Sequence, residues 1–97
     1  MNSVARTVTV AVEVIPLCDD PYPVVDQAIA AIRATGIKHQ VCTMETVMEG
    51  TLDECLRAAR AAHEACMQAG VPKALTILKI SDGIDGSTID DKLAKYR

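Results

Sequence analysis

The segment Thr7–Ile15 constrains the fold more than any other part of the sequence. It reads TVTVAVEVI, and the residues at its even positions are all valine: Val8, Val10, Val12 and Val14. Because successive side chains of a strand point to opposite faces, this alternation predicts a β-strand whose valine face is directed at a core. Glu13 and the other odd positions should face away from that core. Pro16 ends the predicted strand, because proline lacks the N–H that a sheet requires.

A helix is predicted after the first strand. Either Asp19 or Asp20 could accept the N-cap hydrogen bond, and the prolines nearby are tolerated in a first turn. Apolar residues then recur at helical spacing: Val25, Ala28, Ile29 and Ile32. Gly36 marks the end of this helix.

Two short runs, Lys38–Met44 and Glu45–Glu49, follow without any Gly or Pro between them, so they predict a hairpin whose tip is poorly marked. Thr51 and Glu54 then form a capping-box pattern, in which each side chain accepts a hydrogen bond from a backbone amide of the other residue. A second helix should therefore begin directly after the hairpin.

This second helix carries a clear apolar stripe, and Gly70 marks its end. The stripe consists of Leu52, Cys55, Leu56, Ala59, Ala62, His63, Cys66 and Met67. Ala74–Ile80 is nearly continuous in apolar residues and predicts the last strand. A turn of sequence SDGIDG and a short helix from about Thr88 complete the chain.

The order βαββαβ in so short a chain predicts one α+β domain over residues 1–97. Its fold should be a ferredoxin-like sandwich, with a four-stranded antiparallel sheet, two helices on one face and a short C-terminal helix. The other sheet face should have no cover, and it should carry Ile15, Leu75 and Ile77. Such a face leaves an apolar patch in a monomer, so we expect a dimer or a dimer of dimers.

Composition excludes several classes of function. The net charge is −3 and the basic residues are dispersed, and Tyr22 and Tyr96 are the only aromatic residues, so nucleic-acid binding is not expected. No apolar run is long enough to span a bilayer, and no signal peptide is recognisable at the N-terminus, so we expect a cytoplasmic protein that does not insert in membranes. The four cysteines contain no CxxC pair and are expected to be free thiols rather than zinc ligands.

Two charged residues interrupt the apolar strands. Glu13 lies in the first strand and Lys79 in the last, which this fold places side by side. They could form a salt bridge within a subunit interface, or Glu13 could pair with a ligand cation while Lys79 donates to an acceptor. A Cys42–His39 nucleophile is disfavoured, because residues three apart on a strand leave opposite faces. Glu13 and Glu49 as an acid–base pair remain a weaker, enzymatic alternative.

Three segments resemble the thiamine-binding family of YkoF and YqgV type proteins. They are TVTVAVEVIPL, the hairpin run Met44–Gly50, and HEACMQAGVPKALTILKISD, in the family's order and covering nearly the whole chain. This chain departs from the hairpin pattern at Glu45, where a small residue is usual, and at Thr43, where proline is common.

The resemblance implies the ferredoxin-like fold, tetramers built from dimers, and binding of thiamine or its hydroxymethylpyrimidine portion without catalysis or a cofactor. It points to Thr46 and Glu49 in the hairpin, and to Glu13 and Lys79 on the neighbouring strands. Met44 and Met48 would provide apolar walls for the ligand. A regulatory or scaffolding oligomer without a small-molecule ligand is the alternative function.

Overall fold

A computed structural model of the chain describes residues 6–97. Residues 1–5, the start of the expected domain and of the N-terminus searched for a signal peptide, lie outside the described part. The elements are β1 Val8–Pro16, α1 Tyr22–Ala34, β2 Lys38–Val41, β3 Thr46–Gly50, α2 Leu52–Gln68, β4 Ala74–Ser81 and α3 Ile89–Leu93, followed by a 3₁₀ turn at Ala94–Tyr96. Within residues 6–97, no helix is both long enough and apolar enough to cross a membrane.

The four strands form one antiparallel sheet in the order β2-β3-β1-β4. Strand β1 is therefore central, and β4 comes back beside it after the second helix. This is the predicted ferredoxin-like arrangement, and the predicted order of elements is confirmed.

The even positions of β1 carry the core, as the alternation predicted. Val8, Val10 and Val12 are buried on the side of the sheet that the helices cover, which we call the helix side. Met48 of β3 lies beside them and is fully buried. The two helices add small residues to this core: Ala28 and Ile32 from α1, and Cys55, Ala58, Ala59, Ala62 and Cys66 from α2.

The predicted helix starts had different outcomes. At α2 the Thr51 hydroxyl accepts from the Glu54 amide at 3.2 Å, and the Glu54 carboxylate accepts from the Thr51 amide at 2.9 Å, so the capping box is confirmed. At α1 the predicted Asp19 or Asp20 cap is wrong. Pro21 occupies the N-cap position without a side-chain hydrogen bond, because prolines here preset the helical backbone instead.

The hairpin strands are shorter than predicted. Strand β2 ends at Val41 and β3 begins at Thr46, and the Cys42 amide donates to the Glu45 carbonyl at 2.8 Å to close the turn between them. The prediction that Met44 belongs to the first arm is therefore wrong: it lies at the tip of the hairpin and is 76% exposed.

The sheet face opposite the helices, which we call the open side, is partly covered, and the expectation of a bare face is wrong. Residues 82–97, the C-terminal segment, fold back beneath β1. The Ser87 amide donates to the Thr7 carbonyl at 2.8 Å, and the Thr9 hydroxyl donates to the Ser87 carbonyl at 2.9 Å. Gly86 has a φ of +89°, and a Cβ there would lie 2.8 Å from the Thr7 carbonyl oxygen, so only glycine fits this crossing.

An apolar strip on the rest of the open side is uncovered, as expected. Leu75 and Ile77 of β4 are 52% and 42% exposed there. They lie opposite Ile15 and Glu13 of β1, respectively.

The four cysteines are free thiols in contrasting surroundings. Cys42 is exposed at the hairpin turn, whereas Cys55 and Cys66 are fully buried in α2. Burial raises the pKa of the Cys55 thiol to about 11, with smaller contributions from the carboxylates of Glu54 and Glu49. Burial is also the main cause that raises the pKa of Cys66. Both buried thiols should therefore stay protonated and unreactive near neutral pH.

We predict that Ellman's reagent at pH 8 modifies Cys42 rapidly and leaves Cys55 and Cys66 unmodified in the folded protein. The raised pKa suppresses their thiolate form, and the core excludes the reagent. Absorbance at 412 nm should show one fast thiol from Cys42 and a slower one from the half-buried Cys18, and the buried pair should react only in guanidinium. Cys42→Ser should remove the fast phase, and its persistence in that variant would contradict the assignment.

Candidate ligand-binding site

A notch opens in the sheet because β1 is longer than one of its neighbours. Strand β1 pairs with β4 from Thr9 to Pro16, but it pairs with β3 only from Val8 to Val12. Beyond Val12 the hairpin turns away, and a cavity of about 380 Å³ lies between β1, the hairpin turn and the first half of α1. We call this cavity the β1 notch. Its volume lies within the range of about 300–1,000 Å³ that is usual for ligand pockets.

The walls of the β1 notch are mostly apolar. Helix α1 contributes Val25 and Ile29, which are partly buried, and the hairpin tip contributes Met44. Tyr22, in the first turn of α1, adds an aromatic ring that is 77% exposed. The sequence interpretation missed Tyr22. The sequence signal that could have identified Tyr22 is its position directly after Pro21, at the start of a helix.

Thr46 places a buried hydroxyl at the β1 notch. Its position opposite Val12 directs its side chain to the helix side, and the residue is only 5% exposed. Side-chain hydrogen bonds are made by Thr9, Thr35, Thr51, Thr76 and Thr88. The Thr46 hydroxyl has no such partner within residues 6–97. A buried polar group that is left unpaired is uncommon and requires an explanation, such as a ligand or a water molecule.

Glu13 lines the β1 notch from the open side of the sheet. Its expected intramolecular neighbour, Lys79, instead forms an ion pair with Glu45, with 3.0 Å between Nζ and Oε1. In the register Lys79 lies opposite Ala11, whereas Glu13 lies opposite Ile77. The Glu13 carboxylate makes no ion pair or hydrogen bond with any part of the chain that the structure describes. It is therefore available to a cation in the notch.

Glu49 has both carboxylate oxygens engaged. Oε1 accepts from the Ile89 amide at 2.8 Å, and Oε2 lies 3.1 Å from Lys38 Nζ. The side chain is only 12% exposed. Glu49 thus attaches the C-terminal segment to the sheet on the open side.

A second cavity, of about 760 Å³, lies on the open side between the sheet and the C-terminal segment. Ala11 and Val47 form its floor, Lys79 and Glu45 lie at one end, and Ile89 borders it on the opposite wall. Lys79 and Glu45 are paired with each other, whereas Asp91 and Lys92 border the cavity without an ion pair among the described residues. We call this cavity the open-side groove.

The six residues predicted for the site therefore separate into three places. Glu13, Met44 and Thr46 meet at the β1 notch. Lys79 lines the open-side groove, and Glu49 lies at its margin against the C-terminal segment. Met48 is fully buried in the core below Thr46 and reaches neither cavity.

The geometry also bears on the nucleophile and acid–base alternatives. Glu49 lies opposite Thr9, four residues from Glu13 along β1, which corresponds to roughly 13 Å of strand. The two carboxylates are thus too far apart to share a proton. His39 Nδ1 is bonded to the Ile37 carbonyl at 2.8 Å and the Cys42 thiol donates to the Gln40 carbonyl at 3.8 Å, so the two side chains are not bonded to each other. Residues 6–97 contain no group of three His, Cys, Asp or Glu side chains arranged to hold a metal ion.

Comparison with known proteins places this architecture in a family. A family model described as thiamine-binding protein matches residues 10–97. A UPF0045 protein of Clostridium perfringens is 38% identical over 93 residues, which cover 94% of this chain and 98% of that protein. The UPF0045 protein YqgV of Bacillus subtilis is 34% identical over 65 residues, covering 66% of this chain and 62% of that one.

Solved structures agree with these matches. A domain of unknown function from Bacillus cereus superposes with a TM-score of 0.90 and 38% identity, covering 100% of this chain and 96% of that one. A Thermotoga maritima protein proposed for thiamine biosynthesis or salvage superposes with a TM-score of 0.84 and 30% identity, covering 94% and 99%. The resemblance seen in the sequence is therefore confirmed, and this chain belongs to the thiamine-binding protein family.

Proposed function

We propose that this chain binds thiamine or its hydroxymethylpyrimidine portion in the β1 notch, without transforming it, as part of cytoplasmic thiamine salvage, transport or sensing. Membership of the thiamine-binding family, and the salvage role proposed for the Thermotoga maritima relative, support the ligand class. Four free thiols are typical of a reducing compartment and support the location. The observation that carries the proposal is the carboxylate of Glu13, which has no partner among residues 6–97, beside an apolar notch of ligand size.

The charges around the notch suit a cationic ligand. Thiamine carries a permanent positive charge on its thiazolium ring, and a carboxylate is its natural partner. Lys79 neutralises Glu45, so Glu13 is the carboxylate left for the ligand. In this proposal Lys79 acts indirectly, by directing the cation to Glu13, and Glu49 acts by holding the C-terminal segment in place.

The walls of the notch suit flat aromatic rings. Met44 is a soft and flexible side chain at the hairpin tip, and the Tyr22 ring can stack on a heterocycle. Both are largely exposed, which allows them to close over a ligand. Met48 contributes as a support for β3 beneath Thr46 rather than by contact.

We also propose that the protein self-associates through the open side. Leu75 and Ile77 form an exposed apolar strip beside Ile15, and such strips on small proteins are commonly buried by a second copy. A dimer, or a tetramer built from dimers, would cover this strip. If no ligand binds, the same strip favours a scaffolding oligomer as the function.

We predict that isothermal titration calorimetry detects thiamine binding at micromolar or tighter affinity, and that Glu13→Gln weakens it roughly 10- to 100-fold, as expected for loss of a charged partner. Hydroxymethylpyrimidine has no thiazolium cation, so its affinity should change little in the same variant. Glu64→Gln, the same change at an exposed position on α2, serves as the control.

A comparison with Glu49→Gln decides between the two cavities. Thiamine affinity that falls in Glu49→Gln and stays unchanged in Glu13→Gln would place the ligand in the open-side groove. No heat from thiamine, its phosphates or hydroxymethylpyrimidine would rule out the proposed function and favour the scaffold.

We predict that multi-angle light scattering finds a dimer or tetramer, and that Ile77→Asp reduces the mass to that of a monomer, because a charge on the apolar strip cannot be buried without a partner. Ile84→Asp is the matched control, since Ile84 is 94% exposed at a loop away from the strip. Circular dichroism should show that both variants keep their folded structure. A monomeric wild-type protein would contradict this proposal.

A further inference from the structure

The register of the sheet determines which backbone groups face the β1 notch. The Leu17 amide donates to the Lys73 carbonyl at 2.9 Å, and these two residues continue the pairing of β1 with β4. In an antiparallel pair, hydrogen-bonded positions alternate along the strand. The odd residues of β1 therefore direct their N–H and C=O groups to β4, and the even residues direct theirs to the β3 edge.

Val14 is the even residue that lies past the end of β3. Position 44 would be its partner by continuation of the register, but the chain has already turned at Cys42–Glu45. Neither the N–H nor the C=O of Val14 has a hydrogen-bond partner on this edge in residues 6–97. The β1 notch thus contains one donor and one acceptor, side by side in the plane of the sheet.

This free edge is too short for another strand. The next even residue is Pro16, which has no N–H to donate, and α1 begins soon afterwards at Tyr22. A pairing peptide would make its two bonds at Val14 and little more, whereas a small planar molecule needs only such a pair. The edge therefore fits a heterocycle better than a polypeptide.

We propose that the N–H and C=O groups of Val14, together with the Thr46 hydroxyl, form hydrogen bonds with the polar edge of an aminopyrimidine ring. This inference rests on the proposed function and specifies which part of the ligand is recognised, and by which atoms. The amino group of the ring donates to the Val14 C=O, and the adjacent ring nitrogen accepts from the Val14 N–H. The Thr46 hydroxyl, which is buried and unpartnered in the described chain, supplies a third polar contact on the same wall.

This recognition is specific because the ligand must donate a hydrogen bond to the Val14 C=O and accept one from the Val14 N–H. Replacing the amino group of the pyrimidine by a carbonyl oxygen turns the donor into an acceptor and places a proton on the neighbouring nitrogen. The carbonyl oxygen of the ring would then face the Val14 C=O, and the ring N–H would face the Val14 N–H, so neither hydrogen bond could form. Polar groups that are buried without partners lower the affinity. Binding through the thiazolium cation alone would not discriminate between the two molecules.

Calorimetric titration with thiamine and with oxythiamine, which carries that carbonyl, tests the proposal directly. We expect oxythiamine to bind roughly 10- to 100-fold more weakly than thiamine. Equal affinities would overturn the proposal and leave the proposed function intact. No heat from thiamine, oxythiamine or hydroxymethylpyrimidine would overturn both.

Thr46→Val tests the third contact with a variant of nearly the same shape. Loss of the hydroxyl should lower thiamine affinity several-fold, whereas Thr46→Ser should keep most of it. Because the hydroxyl has no partner in the described part of the chain, Thr46→Val should leave the midpoint of denaturant unfolding unchanged or raise it. A purely structural Thr46 would give the opposite result, with lower stability and unchanged affinity.

Amide hydrogen exchange followed by NMR tests Val14 without changing the sequence. In the ligand-free protein its amide should exchange much faster than those of Val12 and Ile15, which lie in paired stretches. Saturating thiamine should slow the Val14 amide and shift its resonance. A Val14 amide that is already protected without ligand, as it would be in a strand paired with a second copy, or that is unaffected by bound thiamine, would overturn the proposal.

Discussion

The unequal pairing of β1 determines where this molecule can bind anything. On one side β1 pairs with β4 as far as Pro16, and on the other its partner β3 reaches only to Val12. Backbone groups in a protein interior are normally hydrogen-bonded. A central strand with an open edge therefore has backbone N–H and C=O groups that need partners from outside the sheet. Helix α1 and the hairpin turn enclose that edge instead of filling it. The β1 notch is thus a consequence of strand length, and its apolar walls come from α1 and from Met44 at the hairpin tip.

Ion pairing on the sheet then decides which carboxylate is available. Lys38 and Lys79 lie near opposite edges of the sheet and are paired with Glu49 and Glu45, respectively. Pairs whose lysine is exposed to solvent, as both are here, contribute little to stability. Their effect here is on selectivity, because of the carboxylates at residues 13, 45 and 49 they leave only Glu13 without a partner among the described residues. A cation near the β1 notch should therefore pair with the Glu13 carboxylate in preference to Glu45 or Glu49.

Much of the fold could be predicted because its signals are local. The alternation of β1 and the capping box of Thr51 and Glu54 act within a few residues, and both appear in the structure as predicted. The β1 notch depends on where the hairpin turns, and the run from Lys38 to Glu49 contains no Gly or Pro to mark that turn. Without the turn, Met44 seemed to lie within a strand and the free edge at Val14 could not be foreseen. The cover over the open side was missed for a related reason, since it depends on hydrogen bonds between Thr9 and Ser87, far apart in the chain.

The position of Glu13 connects the two proposed roles of the sheet. Its register places it on the open side opposite Ile77, yet it also lines the β1 notch. Packing of a second copy against the apolar strip would remove water from around Glu13, and a carboxylate that loses water requires a partner. A cation bound in the notch provides that partner, and the lower local dielectric strengthens the attraction between them. Assembly and ligand binding would then stabilise one another through a single side chain.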